Sequence, residues 1–125
     1  MEDKIKKIIN VNSIDPHKVP LFFGNESLGF QRYDNPKYKQ IEDFYEKQML
    51  LFWRPNEIDV TKDRGDFKTL SSQEKFIFTK NLGYQILLDS IQSRGILHLL
   101  ADCTNLEIES FCETWAFFEQ IHSRL

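Results

Sequence analysis

Two carboxylates stand where carboxylates rarely go. Asp89 lies within Ile86-Leu87-Leu88-Asp89-Ser90-Ile91, and Glu119 within Trp115-Ala116-Phe117-Phe118-Glu119-Gln120-Ile121-His122. Both segments are apolar enough to face an interior, where an unpaired ionised carboxylate costs several kcal/mol. A cation is therefore expected beside them, and Arg94, Arg124 and a metal ion are the candidates. His122 follows Glu119 by one turn, and positions i and i+3 share one side of a helix. Two hard carboxylates with one imidazole suit iron or manganese better than structural zinc, which prefers thiolates and closed tetrahedra.

The elements that must bring these residues together can be read from caps and periodicity. Ser71 with Glu74, and Thr104 with Glu107, each read as a capping box. They predict a long apolar helix over roughly 72–100 and a second helix from Asn105. With the turn near Cys103, Asp89 lies about 14 residues before it and Glu119 about 16 after it. At about 1.5 Å per residue these are roughly 21 and 24 Å from the turn, so the carboxylates come level in an antiparallel hairpin. The long helix is apolar on more than one face, which predicts a central place packed on several sides, with Gly95 as a candidate bend. The last helix meets no Gly, Pro or polar tail before Leu125 and is expected to run to the final residue.

Upstream, Asn35 as N-cap and Pro36 at the first helical position predict a helix that Pro55 stops. Tyr38, Ile41, Phe44, Tyr45, Met49 and Phe52 would form its apolar face. Residues 56–69 read as a connector, with Asp63, Gly65 and Asp66 as turn residues. Residues 1–34, broken by Pro16 and Pro20, read as an irregular arm with a short helix over 5–9. The expected organisation is this arm followed, over 35–125, by a portion of an all-α helical bundle.

Composition excludes several functions. The chain has 125 residues, 41% of them hydrophobic and 28% charged, which suits one globular unit. Eleven phenylalanines point to an interior filled with rings. A formal charge of −3 offers no basic field for nucleic acid, and no apolar run is long enough to span a bilayer. The first ten residues, MEDKIKKIIN, lack the apolar stretch of a secretion signal, so a cytoplasmic location is expected. Cys103 and Cys112 have no zinc-knuckle spacing and read as buried thiols.

Glu-x-x-His on a bundle helix is a recurring element of ferritin-like di-iron and di-manganese proteins. Their full site takes one carboxylate from each of two helices and Glu-x-x-His from each of two more. One lone carboxylate and one Glu-x-x-His would be half of such a site. A solvent-facing Glu-x-x-His pair is the ordinary alternative, and spacing by itself does not separate the two.

Longer motifs go further. Pro20-Leu21-Phe22-Phe23-Gly24, Arg32-Tyr33-Asp34, Phe52-Trp53-Arg54-Pro55, Leu87-Leu88-Asp89-Ser90-Ile91-Gln92, Glu113-Thr114-Trp115-Ala116-Phe117 and Ile121-His122-Ser123-Arg124 stand in this order. Together they resemble the small subunit of class I ribonucleotide reductase over about residues 20–124. The resemblance implies a ferritin-like fold and a di-iron centre, with manganese also acceptable to this ligand set. It implies that Asp89 and His122 ligate the first metal and that Glu119 bridges or borders the pair. Trp53 would begin the electron-transfer path toward the large catalytic subunit, although an indole closing a helix end against the core explains it as well. Trp115 would pack near the site. The implied partners are the large subunit and a second small subunit.

Departures matter as much. The family places its radical tyrosine one position after Leu125, and Tyr33, Tyr38, Tyr45 and Tyr84 do not match it. The second carboxylate, the second Glu-x-x-His and the tail that docks the large subunit are also not among these residues. His17 and His98 read as ordinary loop or surface residues, and Ser93 and Phe118 depart from the expected types without chelating. The expectation is an N-terminal portion that is inactive without a complementing C-terminal part. Two other readings share some of the pattern. One is another ferritin-like, oxygen-activating oxidase; the other is a self-associating helical module without catalysis.

Overall fold

The Ser71 hydroxyl accepts the Glu74 amide at 3.3 Å, and the Glu74 carboxylate accepts the Ser71 amide at 2.8 Å. This reciprocal cap starts the longest helix of the protein. The computed structural model describes residue 18, residues 20–24 and residues 33–124. Within them lie α1 (Lys39–Leu50), a 3₁₀ turn (Pro55–Glu57), α2 (Asp63–Thr69), α3 (Ser72–Asp102) and α4 (Leu106–His122). No strand occurs among the described residues, so the expected all-α class holds. At 1.5 Å per residue α3 is about 46 Å long. Among the described residues no helix is long and apolar enough to cross a membrane.

The α3–α4 hairpin is the framework, and α1 packs against α4. The hairpin turn is tied from several directions. Asn105 caps α4 by accepting the Glu107 and Ile108 amides at 3.0 and 3.2 Å. The arm over 20–24 lies across the turn: Phe23 donates to the Asp102 carbonyl, and the Thr104 amide donates to the Leu21 carbonyl, both at 2.9 Å. The Thr104 hydroxyl donates to the Pro20 carbonyl at 2.6 Å. These bonds satisfy groups that a helix end leaves orphaned. A side chain on Gly24 would meet the Thr104 hydroxyl at 2.9 Å, so the crossing demands glycine there. The remainder of the expected arm, with its short helix over 5–9, lies outside the described residues.

Several expectations require correction. Thr104 and Glu107 do not form a capping box. Asn105 is the cap, and the buried Glu107 carboxylate instead accepts the Lys37 and Tyr38 amides at 2.6 and 2.7 Å. For the same reason α1 begins at Lys39 rather than just after Asn35: its entry is defined by an acid on α4. Residues 63–69 form α2 instead of a connector, with Asp63 and Asp66 in its first turn and Lys68 in its last, charges that suit the helix dipole. α4 closes at His122, with Ser123 as C-cap, and does not continue through Arg124.

The core is small. Ile96, Cys103, Cys112 and Ala116 are buried, with Phe22, Leu100, Ile108, Phe111 and Trp115 packed against them. Most rings do not enter it, and of the phenylalanines only Phe118 is buried among the described residues. α3, expected to be packed on several sides, has α4 as its principal neighbour. Its earlier turns expose Phe76, Ile77, Tyr84 and Leu87, each more than half accessible.

Two predictions follow from these contacts. Glu107→Ala leaves two amides at the start of α1 without their acceptor, and unfolding free energy should fall by about 2 kcal/mol. Hydrogen exchange should accelerate first over 39–50, and unchanged protection there contradicts the assignment. The Ser71 hydroxyl and amide hold Glu74 below the ordinary carboxylate range. That contribution is present above the ordinary glutamate value and is lost as pH falls through the lowered one. Acidification through that window should therefore fray the first turn of α3, as should Glu74→Ala at neutral pH, read from the amide shifts of residues 72–75.

Candidate metal centre

Asp89 projects from α3, and Glu119 and His122 from the last turns of α4. The antiparallel hairpin brings one ligand atom of each within 4.8 Å of the others. The level pairing expected from counting residues to the turn is therefore realised. The Glu119 side chain is 13% exposed and that of His122 41%, while Asp89 is half-buried. Glu119 Oε2 lies 3.8 Å from His122 Nδ1.

Neither candidate arginine neutralises the acids. Arg94 Nε donates to the Ser90 carbonyl, and Arg124 Nη1 to the Gln120 carbonyl, each on its own helix. Asp89 forms no hydrogen bond or ion pair among the described residues. Glu119 is held by neutral donors only: Trp115 Nε1 at 2.8 Å and Gln92 Nε2 at 2.9 Å, both on Oε1. Two carboxylates within 4.8 Å of each other without a lysine or arginine repel, and a divalent cation relieves that repulsion most directly. The donor set, two hard oxygens and one imidazole, fits iron or manganese.

Trp53 reaches the same place by another route. Arg54, extended before Pro55, is clamped to Glu57, with its amide at 3.1 Å and Nε at 2.8 Å from the carboxylate. Phe52 packs on Phe117 and Phe118 with ring centroids 6.1 Å apart. Between these two anchors, the Trp53 indole stacks on His122 at 5.7 Å, with the planes 18° apart. Phe118 meets the same imidazole at 6.4 Å. The Trp53 ring thus faces a candidate ligand.

On the opposite side Asp89 and His122 are open. A cleft of about 1160 Å³ lies beside them, lined by Asp89, His122, Trp53, Phe67, Leu70 and Leu82. That volume is far larger than one ion and its water need. His98 is exposed on α3, away from this cluster, and His17 lies outside the described residues. Cys103 and Cys112 are buried in the hairpin core, where burial pushes the Cys112 thiol up and a hydrogen bond with Cys103 opposes it.

The donors to Glu119 were not identified as such from sequence. Their signals were present: Gln92 follows Asp89 by three residues, and Trp115 precedes Glu119 by four. Each therefore shares a helix side with a ligand candidate.

Comparison with known proteins agrees with the geometry. The family described as ribonucleotide reductase, small chain, matches residues 31–125. The ribonucleoside-diphosphate reductase subunit beta of Buchnera aphidicola subsp. Schizaphis graminum is 52% identical over 108 residues, 86% of this chain and 28% of that protein. The ribonucleoside-diphosphate reductase 1 subunit beta of Escherichia coli O157:H7 is 49% identical over 111 residues, 88% of this chain and 29% of that protein. The subunit beta of Enterobacteria phage T4 is 39% identical over 121 residues, covering 94% and 30% respectively. The chain thus spans less than a third of the length of these relatives. A match over three quarters of its residues makes it a member of the ribonucleotide reductase small chain family.

Proposed function

We propose that this chain is the N-terminal portion of a class I ribonucleotide reductase small subunit and contributes half of a di-iron or di-manganese centre. The observation that carries this reading is the meeting of Asp89, Glu119 and His122 within 4.8 Å, with no arginine or lysine paired to them among the described residues. Bound there, the metals supply oxidation by dioxygen, with which such a subunit makes a tyrosyl radical for reducing ribonucleotides to deoxyribonucleotides.

The protein's own residues have separable tasks. Asp89 and Glu119 bring the negative charge that retains the cations, and His122 offers Nδ1 on the same side. The Trp53 stack fixes the plane of that imidazole. It also places an aromatic ring in contact with the site, where an electron can leave toward the large catalytic subunit. Phe52 and Phe118 shield the α4 side from water.

The cleft is the natural seat for the remaining carboxylate and the second Glu-x-x-His, carried by a C-terminal part of the same domain. The exposed rings of α3 would be covered by the same event, since an apolar face of this extent marks a surface that expects a partner. In the assembled enzyme the small subunit pairs with a second copy and with the large subunit in the cytoplasm.

Titrating the chain with Mn²⁺ should raise its unfolding free energy, by about 2.7 kcal/mol when metal reaches a hundredfold excess over Kd. Asp89→Asn and His122→Ala should abolish the rise; an equal rise in Asp89→Asn contradicts the reading. Ferrous iron and oxygen added to the chain alone should give no tyrosyl signal in electron paramagnetic resonance. Mixing it with a polypeptide bearing the remaining ligands and the radical tyrosine should produce one. A stoichiometric signal from the chain alone, or none after a stable complex forms, counts against it.

A further inference from the structure

We infer that Cys103 and Cys112 are a dithiol that hydrogen peroxide closes to a disulfide, fastening the α3–α4 turn covalently. The pair lies at the turn of the hairpin rather than among Asp89, Glu119 and His122, and its chemistry does not depend on the metal reading.

Cys103 closes α3 as its C-cap, and Cys112 lies in the second turn of α4, so the chain reverses between them. Both are 2% exposed and belong to one cluster with Ile96 and Ala116. They stand there as thiols, joined by a hydrogen bond. Sulfurs within hydrogen-bond reach need close by only an ångström or two to attain the S–S length of about 2.05 Å. Small apolar side chains would fill this space as well. What the two sulfurs add is the capacity to be oxidised together.

The strap decides when oxidant arrives. Phe22 pairs with Cys103 in an antiparallel bridge, and hydrogen bonds at Asp102 and Thr104 hold the strap on either side of it. The strap is also strained: Phe23 has φ 60°, a left-handed conformation costly for a bulky residue, and its ring is 72% exposed. With the strap down the pair is slow to react, because burial pushes the Cys112 thiol up against the opposing effect of its bond with Cys103. When the strap lifts, the Cys103 sulfur attacks one peroxide oxygen and becomes a sulfenic acid. The O–O bond breaks, and the other oxygen leaves as water with the proton from Cys103. The Cys112 sulfur then attacks the Cys103 sulfur, and the S–O bond breaks. The departing hydroxyl takes the Cys112 proton as a second water. Two electrons pass from the sulfur pair to the peroxide, and the hairpin gains a covalent tie at the end that sets its register.

The full chain, kept free of metal, is treated with hydrogen peroxide until both thiols are lost. Its mass should fall by two hydrogens while it stays a monomer. Cleavage after Glu107 in denaturant should then leave two peptides joined through Cys103 and Cys112. Closing a loop of ten residues should favour the folded state about a hundredfold in a urea titration, an effect that a reducing thiol reverses. Thr104→Val keeps the shape of the side chain but removes the hydroxyl that holds the Pro20 carbonyl. Closure should speed up about fivefold in it, as expected for one lost hydrogen bond. Sulfinic acids or links between chains in place of the 103–112 disulfide overturn the inference. So do thiols that outlast peroxide sufficient to oxidise the same chain in urea. An unchanged closure rate in Thr104→Val overturns the part given to the strap.

Discussion

The register between α3 and α4 is the constraint on which the rest depends. Each residue of slip turns a helix by about 100°, so a shift of one position would carry Glu119 and His122 away from Asp89. Near the acids that register is supported by the Gln92–Glu119 hydrogen bond and opposed by the repulsion of two carboxylates. It is enforced at the far end, where the turn after α3 is tied by the Asn105 cap, the Thr104 hydroxyl and the strap of residues 20–24. The site is thus built by a remote clamp acting through two rigid helices.

A second line of support runs through α1. Glu107 holds the amides that open α1. The far end of that helix then delivers Phe52 onto α4 and Trp53 onto His122. One buried acid therefore sets the orientation of an aromatic ring at the opposite end of a twelve-residue helix. Both arrangements place stability away from the candidate metal ligands and leave the site electrostatically unfavourable until it is filled. That division is usual where function requires charges that folding alone would reject.

What could be read from the sequence was what is local or periodic. The Ser71–Glu74 cap, the extent of α3 and the start of α4 follow from spacing, and the levelling of Asp89 with Glu119 follows from counting residues to a turn. The missed features depend on partners distant in sequence. Glu107 looks like half of a capping box until α1 is seen seventy positions earlier in chain separation from Lys37. Asn35 and Pro36 resemble a helix start, but the acid on α4 places it later. α2 was overlooked because Gly65 among acids resembles a turn, although Asp63, Asp66 and Lys68 already suit a helix dipole. The contact between Cys103 and Cys112 arises because one lies in the turn and the other on α4.

The central claim is that His122 and the two acids hold a metal ion between α3 and α4. Electron spin echo modulation of the Mn²⁺-loaded chain, labelled with ¹⁵N-histidine, measures this most directly. The account predicts coupling to one imidazole nitrogen, lost in His122→Gln and retained in His98→Gln. Coupling that survives His122→Gln would contradict it.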